Sequence, residues 1–281
     1  MISMLIELTK FRLVSLVLLS TAVGYFLALE MPFDGQAFFH LLAATGLVAS
    51  GSLALNQYIE RDYDAKMPRT AGRPIPSGRI SPRNALVIGV VLAVSGLVYL
   101  TLAVNLVSAS LAALTLASYL FFYTPLKRVT ALNTIAGALP GALPPMIGWS
   151  AVRGTISFEA WILFAIMFLW QLPHFLAISW LYRDEYKKAG FVMLSMDDPG
   201  GRKVGLNAVI TSVLLLPVSL LPTAFGITGM AYFIAAIILG LFLVGVSLAS
   251  LKDIHKKART LFAASILYLS TLLLMMIIDR A

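Results

Sequence analysis

Charged residues interrupt this chain only at intervals. Uncharged runs cover 13–29, 35–59, 84–126, 129–152, 160–182, 204–251 and 260–278. About 20 apolar residues carry a helix across the hydrocarbon core of a bilayer, so five of these runs predict one span each. The two longest, of 43 and 48 residues, predict two spans each, with turns near Asn105 and around Pro222–Gly226 through Gly229. The pattern therefore predicts nine transmembrane helices. A second span follows the first too closely for a removed signal peptide, and no small-residue cleavage site separates them.

Composition agrees and excludes other classes. Hydrophobic residues make up 59% of the 281 and charged residues 12%, against roughly 45–50% and 25% in soluble domains. Mean hydropathy is +0.90. A soluble fold of this size could not hide that much apolar surface, and neither disorder, a secreted scaffold nor nucleic-acid binding fits. The lack of cysteine removes disulfides, thiolate metal ligands and a cysteine nucleophile.

The net charge of +8 matters through its placement. With the N-terminus in the cytoplasm, 19 of the 21 basic residues face that side and only Arg153 and Arg280 fall outside. That is the expected cytoplasmic excess of Lys and Arg, and an odd span count then puts the C-terminus outside. Nine of the 13 carboxylates share the cytoplasmic face, mostly in long loops at about 57–83 and 182–204. The expected fold is all-α: one intramembrane domain over 1–281, nine helices around a central cavity open to the cytoplasm.

The second span ends in Asn56, Glu60 and Asp64, spaced i, i+4, i+8. Steps of four advance about 40° around a helix, so the three share a face. Stacked like charges call for a cation, and hard oxygen donors suit Mg²⁺ with waters and a phosphate completing its shell. Asp62, about 200° from Glu60, is expected to turn elsewhere, toward Arg61 or Arg69. Lys66, Arg69, Arg73 and Arg79 follow at once, so carboxylates for a metal adjoin guanidiniums for phosphate oxygens. A solvated helix end with ordinary salt bridges is the bland alternative. In the second loop Asp184 and Glu185 diverge by about 100°, so one of them, Glu185, is chosen as the further metal ligand.

Polar groups at membrane depth are costly and mark candidate sites. Trp170-Gln171-Leu172-Pro173-His174 interrupts the sixth span, with Pro173 expected to bend it. His174 is a candidate for ligating iron or donating a hydrogen bond, with Gln171 as partner; a satisfied core histidine is the alternative. Lys127 and Arg128 occupy a tight cytoplasmic turn suited to phosphate or carboxylate groups. The Gly/Pro-rich stretch Gly137–Trp149 cannot remain a straight Leu-packed helix.

These segments together resemble the intramembrane aromatic prenyltransferase superfamily, and within it the branch that prenylates heme. Asn56, Gln57, Glu60 and Asp64 occupy its first acidic motif, with Gln57 and Glu60 departing from the superfamily's aspartates. The branch is matched by Met67-x-Arg69-Thr70-x-x-Arg73-Pro74, Tyr123-Thr124-x-Leu126-Lys127-Arg128, Asn133-Thr134, Gly141-Ala142-x-Pro144-Pro145-x-x-Gly148-Trp149 and Trp170-Gln171-x-Pro173-His174. Glu185-Tyr186 with Ala189-Gly190 matches the second motif, and Lys10-x-Arg12 a first-span basic pattern whose proline is Phe11 here.

The resemblance implies that heme b, farnesyl diphosphate and water give heme O and diphosphate. It implies Mg²⁺ as cofactor, held by the catalytic trio Asn56, Glu60 and Asp64, with Glu185. Lys10, Arg12, Lys66, Arg69, Arg73 and Lys127 would bind diphosphate, and His174, Gln171 and Arg128 the heme. It leaves open a heme A synthase or a terminal oxidase as protein partner and implies no nucleic acid. With no Arg/Ser-rich transit segment before the first span, a bacterial inner membrane is expected. Two rivals stay open: a prenyltransferase for a quinone-precursor ring, and an ion-coupled transporter.

Overall fold

The computed structural model describes residues 2–281. Among them, nine helices are long and apolar enough to cross a membrane: α1 (Phe11–Ala28), α2 (Gly35–Asp64), α3 (Pro82–Ala103), α4 (Leu106–Leu126), α5 (Asn133–Arg153), α6 (Phe158–Leu181), α7 (Arg202–Ala224), α8 (Met230–Lys252) and α9 (Ile254–Ile278). Short helices at Ile2–Leu8, Pro68–Ala71 and Arg183–Ala189 cover one end. The protein is a multi-pass membrane protein, and the nine spans agree with the charge-free runs.

Local chemistry sets the helix limits. The Asp34 carboxylate accepts from the N–H groups of Gln36 at 2.9 Å and Ala37 at 3.1 Å, starting α2. Asn105 does the same for Ser108 at 2.8 Å, so the 43-residue uncharged run turns where expected. The α7–α8 turn begins slightly later than expected: Pro222 still lies in the last turn of α7, and Phe225 to Gly229 make the reversal.

Neighbouring spans pack along their lengths, with α1 lying against α5 and α6 against α9. Without a hydrophobic drive between helices in lipid, close approach by small residues supplies the packing. A Cβ on Gly24 would overlap the Pro145 carbonyl, and one on Gly148 the Thr21 carbonyl, so α1 and α5 meet backbone to backbone. Gly51 on α2 and Gly89 on α3 make a similar close contact. The fifth span is indeed not straight, since its helix breaks between Ala142 and Pro144. The sixth span is not interrupted, since α6 runs as one helix through Pro173. Large side chains such as Leu102, Ile238 and Leu274 face outward, as lipid-facing positions should.

Candidate active site

The i, i+4, i+8 stripe on α2 is buried, with Asn56, Glu60 and Asp64 only 1%, 4% and 1% exposed. Buried carboxylates demand compensation, and each position of the stripe meets a cation from a different segment. Lys10, in the link before α1, donates to Asn56 Oδ1 at 2.9 Å. Lys127, in the α4–α5 turn, donates to Glu60 Oε1 at 2.7 Å. Arg73, in the α2–α3 loop, donates to Asp64 Oδ2 at 2.5 Å. The second oxygens, Glu60 Oε2 and Asp64 Oδ1, accept no hydrogen bond among the described residues. The stripe therefore offers two carboxylates and one amide oxygen. Among the described residues no cluster of three His, Asp or Glu side chains stands ready for a metal.

Lys10 is held under strain. Its φ of 49° and ψ of 54° are left-handed, and no other non-glycine residue among those described has a positive φ. Such a conformation costs on the order of 1 kcal/mol or more and marks functional positions. Burial, then the neighbouring Arg73 and Lys127, push its ammonium down to about 7, although Glu60 and Asp64 oppose the shift. Lys127 goes the other way. Burial works against its charge, yet Glu60 first, then Tyr123 and Tyr119, hold it protonated well above the ordinary lysine range. One lysine is thus fixed in charge and the other is poised near neutrality.

Backbone irregularity positions the partners. The last part of α4 is a π-helical turn, Ser118–Tyr123, where the Thr124 N–H reaches Tyr119 O. The Thr124 hydroxyl donates to that carbonyl at 2.8 Å and accepts from Asn56 Nδ2 at 3.2 Å, which aims the Asn56 oxygen at Lys10. Gln57 faces away from the stripe. Its amide donates to the Glu7 and Leu8 carbonyls at 2.9 and 2.8 Å, anchoring the N-terminal helix that delivers Lys10.

The second loop docks on the α4–α5 turn. Val192 N donates to Lys127 O at 2.7 Å, and Asn133 Nδ2 to Val192 O at 2.6 Å. Asp184 points outward beside Arg183, whereas Glu185 is half-buried and its Oε2 has no partner. Other expected phosphate ligands stay outside the buried cluster. The Arg69 guanidinium lies 4.7 Å from the Tyr182 ring centre, Lys66 is exposed over Tyr63, and Arg12 is exposed and unpaired among the described residues. Arg79 pairs with Glu7 instead. Asp62 faces solvent beside Arg61 at 3.7 Å, as its angle on the helix implied.

His174 lies between the Trp170 and Phe262 rings, with centroids 5.1 and 5.0 Å away. Its Nδ1 meets Ser265 Oγ at 2.9 Å. When the single Ser265 hydroxyl proton goes to Phe262 O, 2.7 Å away, Nδ1–H is the donor to Ser265 and Nε2 keeps its lone pair. The partner expected for His174 was Gln171, and the structure corrects this. Gln171 turns toward α5, donating to Met167 O at 2.9 Å and Ala138 O at 3.4 Å, in space left by Gly141. Arg128 stacks 4.0 Å over the Tyr63 ring and leaves its buried Nε unpaired. Thr124, Ser265 and the tyrosines under the cations carry no charge or spacing signal. Sequence reasoning missed their part for that reason, although Thr124 lay inside a motif it had singled out.

Basic groups from three segments thus surround two buried carboxylates at one end of a nine-span bundle. The chain belongs to the UbiA prenyltransferase family, whose profile matches residues 17–272. It is similar to the protoheme IX farnesyltransferase of Solibacter usitatus, with 46% identity covering 98% of each chain. The protoheme IX farnesyltransferase of Koribacter versatilis is 41% identical over 98% of this chain and 92% of its own. The fold matches a digeranylgeranylglyceryl phosphate synthase with a TM-score of 0.83 at 20% identity, covering 99% and 98% of the two chains. It also matches a UbiA homologue from Archaeoglobus fulgidus bound to DMAPP and Mg²⁺, with a TM-score of 0.69 at 16% identity over 97% and 98%.

Proposed function

We propose that this protein transfers the farnesyl group of farnesyl diphosphate to a vinyl group of heme b, with addition of water, giving heme O and diphosphate. The observation that carries the reading is the buried stripe of Asn56, Glu60 and Asp64, met by Lys10, Lys127 and Arg73 from three separate segments. The relatives' shared name over nearly the whole chain supports heme as the acceptor.

The chain's residues suit an allylic ionisation. Arg73 and Lys127 swing from their carboxylates to the phosphate oxygens, and Lys10 adds a third donor. The donor set of Asn56, Glu60 and Asp64, oxygen only and with one carboxylate oxygen free on each acid, fits a hard divalent cation. Mg²⁺ bound there supplies charge neutralisation for the leaving diphosphate. Glu185, with its unpaired buried oxygen, is the candidate fourth donor. Arg69 and Lys66 stand at the rim to draw the diphosphate in, and Arg12 lies further out on α1. The apolar bundle takes the farnesyl tail and keeps bulk water from the allylic cation. The vinyl π electrons form the new C–C bond, and water then quenches the positive centre. No nucleophilic side chain is required.

His174 Nε2 carries a free lone pair and serves to orient the heme, and Arg128 offers a guanidinium to a propionate. Gln171 shapes the α5–α6 seam beside them. The basic residues gathered on one face support a site that opens to the cytoplasm of a bacterial inner membrane. Membranes containing the protein, given Mg²⁺, farnesyl diphosphate and heme b, should yield a heme with the added hydroxyethylfarnesyl mass. Product from a phenolic acceptor alone would overturn the assignment.

A further inference from the structure

Arg153 and Arg280, the two basic residues that break the charge asymmetry, converge on one cavity at the end of the bundle away from the acidic stripe. The cavity has a volume of about 550 Å³ and is lined by Leu29, Glu30, Trp149, Arg153, Glu159 and Arg280, among others. Arg153 pairs with Glu30 and lies 5.6 Å from the Trp149 ring centre, while Arg280 donates to the Leu29 carbonyl. Ion pairing of loops would explain that much.

It does not explain two further groups. Trp149 is 3% exposed and its Nε1 has no partner, and the buried Nε of Arg153 has none either. Both atoms can only donate, so what completes them must present acceptor oxygens. Thr155, Ser157, Glu30 and Glu159 make the lining largely polar, but Phe225 within it is exposed, and its ring meets that of exposed Phe158 with centroids 4.8 Å apart. Polar donors beside an exposed aromatic pair at the end of a bundle match a lipid headgroup with its chains alongside. Two arginines and two glutamates balance, which favours a zwitterion over an anion.

We propose that this cavity binds the headgroup of an amine-bearing zwitterionic phospholipid. Its phosphate oxygens accept from Trp149 Nε1 and Arg153 Nε, and its ammonium lies beside Glu159. The test is the thermal midpoint of the purified full chain with dioctanoyl phosphatidylethanolamine, dioctanoyl phosphatidylglycerol or inorganic phosphate. Trp149→Phe keeps the ring but loses the donor, and Arg153→Lys keeps the charge but loses Nε. Phosphatidylethanolamine should raise the midpoint of the unaltered protein by several degrees and have little effect on either variant. The same rise with phosphatidylglycerol or phosphate would overturn the choice of ligand, and the same rise in both variants would overturn the site. Should a variant fail to fold, native mass spectrometry of the unaltered protein decides. Preferential retention of phosphatidylethanolamine over phosphatidylglycerol supports the proposal, and equal retention refutes it.

Discussion

Replacing Glu60 by Gln and Lys127 by Met, singly and together, separates what their ion pair does for stability from what it does for transfer. The pair spans 2.7 Å with side chains 5% and 12% exposed. Removing one member of a buried pair leaves the other charge uncompensated and costs about 3–5 kcal/mol. Lys127 keeps Tyr123 beneath its ammonium at 4.4 Å, so the lower end, ~3 kcal/mol, applies to Glu60→Gln. That is roughly a hundredfold shift in the unfolding equilibrium. The double variant leaves no stranded charge and should cost only ~1 kcal/mol, a coupling of several kcal/mol across the cycle. Equilibrium unfolding in mixed micelles reads the stabilities, and heme O formation reads turnover. All three variants should be inactive even where stability returns. If the double variant loses the sum of the two single losses, the pair is not energetically real. If it recovers transfer, Glu60 and Lys127 only support the fold.

Other outcomes follow from the geometry. Asp64→Asn should slow transfer by ~10²-fold or more while leaving heme binding intact, as read by turnover against heme titration. With Lys10 at about 7 in the free protein, an arriving diphosphate raises that value, so the Lys10 contribution to affinity is full below pH 7 and fades as pH climbs past it; the gap in pyrophosphate affinity between the unaltered protein and Lys10→Met should narrow from pH 6 to about 9. His174→Ala should shift the heme absorption band, and Ser265→Ala should weaken heme binding by ~10-fold or more through loss of the Nδ1 acceptor. Gly148→Ala drives a methyl into the Thr21 carbonyl and should sharply lower the yield of folded protein, visible by size-exclusion chromatography.

Some of the site was legible before any coordinates because helical periodicity is local. Asn56, Glu60 and Asp64 had to share a stripe, and Asp62 had to leave it, whatever surrounded the helix. Asp184 and Glu185 likewise had to diverge, and the structure turns Glu185 inward. Which cations would answer the stripe was not local. Arg73 is nine residues from its partner, but Lys127 and Lys10 are 67 and 46 residues from theirs. The nearby Lys66 and Arg69, equally basic, remain on aromatic rings at the surface.

The assignment of Gln171 to His174 failed for the same reason. One helical turn made them plausible partners, but Ser265 on α9 and the space over Gly141 on α5 drew them apart. Spans, charge asymmetry and the acidic face were determined by the sequence alone, since hydrophobic length and the 3.6-residue period need no neighbours. The pairing of each carboxylate with its own cation, the tautomer of His174 and the strained Lys10 were decided only by the packed bundle. A buried charge or lone pair takes the partner that packing brings within about 3 Å, and no local pattern encodes that distance.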